Sequence, residues 1–354
     1  MSNKLVPLIV AALFLSCAIA RAQSRKDLQV YFIDVEGGQS TLFVSPSGQT
    51  MLIDAGWPGT RDADRILAVA KVAGITQIDY LVLTHYHVDH AGGVPELASR
   101  IPIRNFVDHG PTNDPLVNVP QYYAAYLKVR EKGLHILARP GDKIPISGLD
   151  VQIISAATKT ILEPLPGAGA ANPACANFQP KDETKDPMVG GENKNSVGTI
   201  TTLGKFRISD FGDLTWNKEH DLACPNNLLG TVDVYLVSHH GKETSSLPMM
   251  VWGLRPRVAV MNNGANKGAE IPTFDTLKKS PGFEDLWQLH YGVEAGPRNS
   301  AEQFLANLGT EGTKDSGVPN ESPANYIQLT ARPDGSFTLM NSRNGFSKEY
   351  AARK

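Results

Sequence analysis

Six residues, His85-Tyr86-His87-Val88-Asp89-His90, restrict what this chain can become more than any other stretch of it. They follow an apolar run, Ile78-Asp-Tyr-Leu-Val-Leu83, that reads as a buried strand, and they precede Gly92-Gly93. The strand thus delivers three imidazoles and a carboxylate onto one loop. Such groups are costly to bury unless an ion neutralises them, and their mix of nitrogen and oxygen donors suits zinc, with iron or manganese as alternatives. In extended backbone His85 and His87 face the same side and can share one ion. Asp89 and His90, past the strand end, can turn towards a second. Gly92 and Gly93 allow the chain to bend close beneath the site.

The remaining sequence supplies a body for this loop. Of 354 residues 41% are hydrophobic and 20% charged, enough for a large core and without the signature of bulk disorder. Short runs at 28–34, 40–44 and 50–54, split by Gly/Pro turns, predict a meander of antiparallel strands. A helix is expected over 62–72 with Gly74 as its stop, a short one over 94–99, and another over 121–132 before Gly133. Hairpins are expected through 135–138 and 149–155, and further strands at 105–107, 196–203, 205–211, 231–238 and 257–262. A helix near 274–279 and a hairpin over 326–340 complete the pattern. Two stretches, 159–194 and 263–300, are Pro-, Gly- and Asn-rich and read as irregular insertions in a single domain spanning 23–354. Strands followed by helices, twice over, predict two packed sheets with helices outside.

Lys4, the apolar run 5–20 and Ala20-Arg21-Ala22 read as a secretory signal peptide cut after Ala22, which places the mature protein in the periplasm or outside the cell. A retained N-terminal anchor is the competing reading; the run is interrupted by Pro7 and is short for a membrane span. Cleavage removes Lys4 and Arg21, so the formal charge of −2 becomes −4. With no basic stripe, a dedicated nucleic-acid partner is disfavoured. Cys175 and Cys224 remain after cleavage, a candidate disulfide in an oxidising compartment, with two separate thiols as the alternative.

The HxHxDH pattern with Gly92-Gly93 resembles that of the metallo-β-lactamase superfamily, which implies an α/β fold, an αββα sandwich of two mixed sheets flanked by helices. Val30–Val35, Gly38-Gln39-Ser40, Leu52–Gly56, Asn195-Ser196, Phe211-Gly212-Asp213 and Val237-Ser-His239-His240-Gly241 are similar, in that order, to the hydrolase-like domain of DNA-uptake competence proteins. The likeness runs over roughly 28–345. It implies that Asp213 bridges two ions, that Asp54 supports the His loop by hydrogen bonding, and that one of His239 and His240 ligates the second ion. His239 is preferred as that ligand, leaving His240 to line the cleft or act on substrate protons. The metal set so implied is His85, His87, Asp89, His90, Asp213 and His239, with Asp89 also orienting the attacking water.

One departure stands out. The third histidine of a complete first site is missing, because its region reads Gly190-Gly-Glu-Asn-Lys-Asn-Ser196. Glu192, Asn193 or water are candidates to complete that site, and Asn195 is a structural candidate; one ion or two can follow. His109 is a further candidate near the cleft, whereas His135, His220 and His290 read as ordinary side chains and Trp287 as packing. The resemblance implies hydrolysis by a metal-activated water, and no Gly-x-Ser-x-Gly elbow suggests a serine nucleophile. A phosphodiester or similar ester is the expected substrate. A lactone, β-lactam or thioester is the alternative within hydrolases, and a non-catalytic metal-binding periplasmic module is the alternative outside them.

Overall fold

The computed structural model describes residues 26–112, 114, 119–182, 185, 191–310 and 324–353. The expected leader, 1–22, lies outside them. Two sheets pack face to face. The first runs, in spatial order, Ser347–Tyr350 (β18), Phe337–Asn341 (β17), Tyr326–Ala331 (β16), Leu28–Ile33 (β1), Thr41–Val44 (β2), Thr50–Ile53 (β3), Ile78–Val82 (β4), Ile103–Asp108 (β5) and Leu134–Leu137 (β6). The second runs Leu305–Asn307 (β15), Asp285–His290 (β14), Val258–Met261 (β13), Val234–Leu236 (β12), Phe206–Asp210 (β11), Gly198–Leu203 (β10), Asp150–Ala156 (β8) and Lys143–Ile144 (β7), with Lys159–Thr160 (β9) beside β8.

Alternation within each strand divides the apolar residues among three cores. In β1, Val30 and Phe32 point between the sheets, where they meet Ile153, Phe206, Val234 and Val260. Tyr31 and Ile33 point outwards, to a second core under the helices Thr60–Ala73 (α1), Val94–Arg100 (α3) and Val119–Arg130 (α4). The second sheet is covered likewise by Trp216–Ala223 (α5), Pro248–Leu254 (α6) and Ile271–Lys278 (α7), which bury Leu222, Met250, Leu254, Phe274 and Leu277. Strands buried on both faces explain the near-continuous apolar runs. Helix α1 ends where expected, with Gly74 left-handed at φ 71°. No helix among the described residues is long and apolar enough to cross a membrane.

Both sheets are mixed. Strands β1 to β3 form the expected antiparallel meander, then β3 to β6 run parallel; β11 to β15 are parallel in the second sheet. Ligand sites gather at the carboxyl ends of parallel strands, and here those ends carry Asp54, the 85–90 loop, His109, Asp213, His239-His240 and the 262–269 loop.

Three expectations need correction. His135 belongs to an edge strand parallel to β5, not to a hairpin, because the chain changes sheets after β6. Residues 263–300 are not an insertion: they hold α7 and the buried strand β14, whose polar Gln288 and His290 disguised it. Within 159–194 lie β9 and one-turn helices at Pro173–Asn177 and Glu192–Asn195, while 183–184 and 186–190 fall outside the described residues. Helices α5 and α6 had no sequence forecast. The disulfide Cys175–Cys224 is formed, tying the 159–178 segment to the end of α5.

A candidate metal centre

Strand β4 ends at Val82, and the extended backbone continues through His87. Alternation then sends His85 into the cleft and Tyr86 into the helical core, where its hydroxyl donates to Gly110 O at 2.7 Å. His87 returns to the cleft, with Nδ1 3.0 Å from His85 Nε2. The chain next coils into the one-turn helix Val88–Ala91 (α2), which aims Asp89 and His90 sideways. Gly93 is required by contact: a Cβ there would lie 2.0 Å from Ala55 O.

Donor atoms converge in two groups that share Asp213, each group lying within 4.8 Å: His85, His87 and Asp213, and Asp89, His90, Asp213 and His240. Asp213 Oδ2 is 3.8 Å from His85 Nε2 and 3.5 Å from His240 Nε2, and Oδ1 is 3.3 Å from His90 Nε2. The Oδ1 atom is buried and accepts no hydrogen bond. A buried carboxylate oxygen without a donor is expensive, and imidazole nitrogens and carboxylates converging on one point are the donor set divalent ions take. The residues present therefore fit two ions.

His240, not His239, joins the second group. The opposite preference rests on the place of His239 after Ser238 in the motif order; here both residues are left-handed, with φ of 54° and 56°. His239 instead fixes Nδ1 at 2.7 Å from Thr244 Oγ1 and turns Nε2 towards Asp213 Oδ2 (3.5 Å) and Asn193 Nδ2 (3.4 Å). His239 thus takes the cleft-lining place expected of His240.

Supporting contacts fix this geometry. Asp54 accepts from Thr84 N (2.8 Å) and Thr84 Oγ1 (2.7 Å) and pairs with His90 Nδ1 (2.7 Å), the hydrogen-bonding role that the resemblance implied. On the Asp213 side, Gln39 Nε2 donates to both oxygens of Asp210 (3.0 and 3.1 Å), and Asp210 Oδ1 accepts from Gly212 N. Glu192 lies outside both groups, held by His109 Nε2 (2.7 Å), Asn195 Nδ2 (3.0 Å), Tyr86 N (3.2 Å) and Thr112. Thus His109 and Asn195 act on Glu192, and Asn193 is the member of that segment facing the cleft. A cavity of about 650 Å³ opens beside His109, walled by Leu137, Pro140, Ile161, Leu162 and Pro164.

Charge is polarised across the centre. Burial raises Asp213, but His240, His90 and His239 outweigh it and hold the carboxyl well below the usual range. Asp89 is likewise held low, against burial, chiefly by Lys267 and His90. Burial pushes His239 down to about 3 and His85 well below an ordinary imidazole. His90 goes the other way, because Asp213, Asp89 and Asp54 overcome its burial. A cation held at His90 would compete with a proton for that nitrogen.

Two residues were not foreseen. Lys267, in the loop after β13, places its ammonium on Asp89 Oδ2 and over the Trp57 ring. The only sequence signal was the turn-forming run Asn262-Asn-Gly-Ala-Asn-Lys-Gly268 after an apolar strand. His290, read as unremarkable, is buried against Asp34 (2.9 Å) and Glu36 (3.4 Å), which also pair with Arg65 (3.1 and 3.3 Å). With that arginine between the carboxylates, the cluster reads as an internal ion network.

The chain is similar to several known proteins. Residues 33–170 match the model of the metallo-beta-lactamase superfamily. Recombination protein 2 of Haemophilus influenzae is 24% identical over 259 residues, 72% of this chain and 27% of that protein. Ribonuclease Z of Methanopyrus kandleri is 27% identical over 180 residues, 49% of this chain and 60% of that protein. This chain thus spans less than two thirds of either relative's length. The solved metallo-beta-lactamase fold protein YhfI from Bacillus subtilis aligns with TM-score 0.43 and 12% identity, covering 74% of this chain and 96% of that one. Residues 33–170 thus match the metallo-beta-lactamase superfamily, and the two mixed, helix-flanked sheets around them have the arrangement of the metallo-β-lactamase fold.

Proposed function

We propose that this protein is an exported metal-dependent hydrolase acting on a small phosphodiester or similar ester. The observation that carries the reading is the pair of donor groups meeting at Asp213. Zinc, as one or two ions, is the proposed cofactor; when bound, such ions activate water near neutral pH and stabilise charge on both the attacking and leaving oxygens. Asp89 Oδ2, 3.1 Å from His240 Nε2, is placed to orient the attacking water. His239 Nε2 faces the same space from outside both groups and is available to a substrate oxygen. One similar protein is by its name a ribonuclease, which favours phosphodiester chemistry. The negative mature chain favours a small substrate over a long polyanion.

Metal-reconstituted protein is expected to turn over a chromogenic phosphodiester, to lose that activity on chelation, and to lose it by roughly 10²-fold or more in Asp89→Ala. A lactone or nitrocefin hydrolysed far faster would assign the site to carbonyl substrates instead. Less than one equivalent of metal together with no turnover would leave only a non-catalytic module. Export is supported by the leader and by the disulfide, a bond of oxidising compartments. Expression of the full chain in a Gram-negative host is expected to yield periplasmic protein beginning at Gln23; recovery with residues 1–22 attached would overturn cleavage.

A further inference from the structure

Asp89 Oδ2 has two claimants. It faces the second donor group, 3.1 Å from His240 Nε2 and 3.6 Å from His90 Nε2. The same oxygen also takes the ammonium of Lys267, whose side chain is only 9% exposed. This is no loosely held surface lysine. Its ammonium lies 4.6 Å from the centroid of the Trp57 ring. Its stem passes Gly37 so closely that a Cβ there would meet Lys267 Cβ at 3.0 Å and Cδ at 3.2 Å. The backbone origin is fixed as well, by Gly264 N donating to Lys267 O (2.9 Å) and Ala269 N donating to His240 O (2.9 Å). Lys267 is therefore built into the wall of the second group. The first group differs: the ion pairs of Asp213 are all with histidines, and neither His85 nor His87 contacts a lysine or arginine among the described residues.

We propose that Lys267 is a built-in competitor cation, which holds Asp89 in the metal-free protein so that the four-donor group fills only after the three-donor group. Donor count alone gives the opposite order. With Lys267 on Asp89 the four-donor group has one carboxylate already neutralised, and an incoming dication must break that pair and then sit beside a fixed positive charge. In a site of low polarity that repulsion is large and falls only slowly with distance. The Trp57 face gives the displaced ammonium somewhere to rest. The ion at the Asp89 group is accordingly the weaker and more exchangeable one.

The inference rests on the two-ion reading, and its test separates the two. Zinc(II) alone is titrated calorimetrically into the metal-stripped mature protein and its variants, with thermal melts to verify folding. Wild type is expected to show two steps, the weaker one lost in Asp89→Asn. In Lys267→Met that weaker step is expected to tighten by roughly ten- to a hundredfold while the stronger one stays in place. Lys267→Arg, which keeps the charge, is expected to keep the step weak; Lys267→Gln serves as the neutral variant if the Met protein does not fold. If wild type binds two ions and the neutral variants leave the weaker step within about twofold, or weaken it, the competitor role falls and the two-ion centre stands. If wild type binds no zinc at all, both fall.

Discussion

Asp213→Ala is expected to abolish the whole centre, whereas substitution of any other donor spares one of the two groups. Only Asp213 belongs to both, and its two oxygens face His85, His90 and His240 from one turn after β11. The variant should bind under one equivalent of metal by elemental analysis, and hydrolysis of the chromogenic phosphodiester should fall about 10³-fold or more. His87→Ala is the comparison, since it subtracts from the first group alone and should keep the Asp89 group titratable by zinc. Near-normal metal content in Asp213→Ala would mean that the shared carboxylate is not the link between the groups. Thermal melts verify folding of the variant, because Asp213 is also the counter-charge of the buried His90 and His240.

His290→Ala is expected to damage stability rather than chemistry. His290 lies at the end of β14, where it joins the second sheet to Asp34 and Glu36, at and just beyond the end of β1 in the first. Without it two buried carboxylates share Arg65, and removing one partner of such a network costs about 3–5 kcal/mol. For a protein of this size that is a fall in melting temperature of roughly 4–7 °C. The loss depends on pH with a definite sign. Burial opposes the imidazolium, but Asp34 and Glu36 raise His290 from 6.5 to about 10. A raised value means the folded state binds the proton more tightly, so the contribution is complete below the unfolded value of about 6.5 and fades as pH climbs through about 10. The gap in melting temperature between wild type and variant should therefore be widest near pH 6 and narrow towards pH 10. A gap that is constant with pH would show that His290 acts through packing alone.

How much of this was legible in the sequence follows from how local each feature is. His85, His87, Asp89 and His90 could be read because one strand end carries all four, and period-two alternation holds there. The core could be read for the same reason, since β1, β4 and β13 are apolar on both faces. Asp213 was legible only through the order of motifs. Motif order favours His239 for the second group, whereas the left-handed pair brings the donor atom of His240 into it, a local backbone turn that motif order does not carry. Lys267 and Asp89 are 178 residues apart and meet only because β13 and β4 end on the same side of the sandwich. Strand β14 was missed since Gln288 and His290 look like surface residues until Asn299, Asp34 and Glu36 arrive to bond them.

The link between Cys175 and Cys224 has a consequence for the cavity beside His109. The segment it tethers begins with Lys159, Ile161, Leu162 and Pro164, which wall the cavity beside His109. That wall is also laced to the 227–228 turn, through Leu165 N to Leu228 O and Gly169 N to Asn227 O. A wall pinned at its base by backbone bonds and at its far end by a covalent bond has little freedom to swing shut over a bound molecule. The cavity is then one of fixed width, its shape set by the side chains that line it, and altering Leu162 or Pro164 would change that shape while leaving the donors around Asp213 as they are.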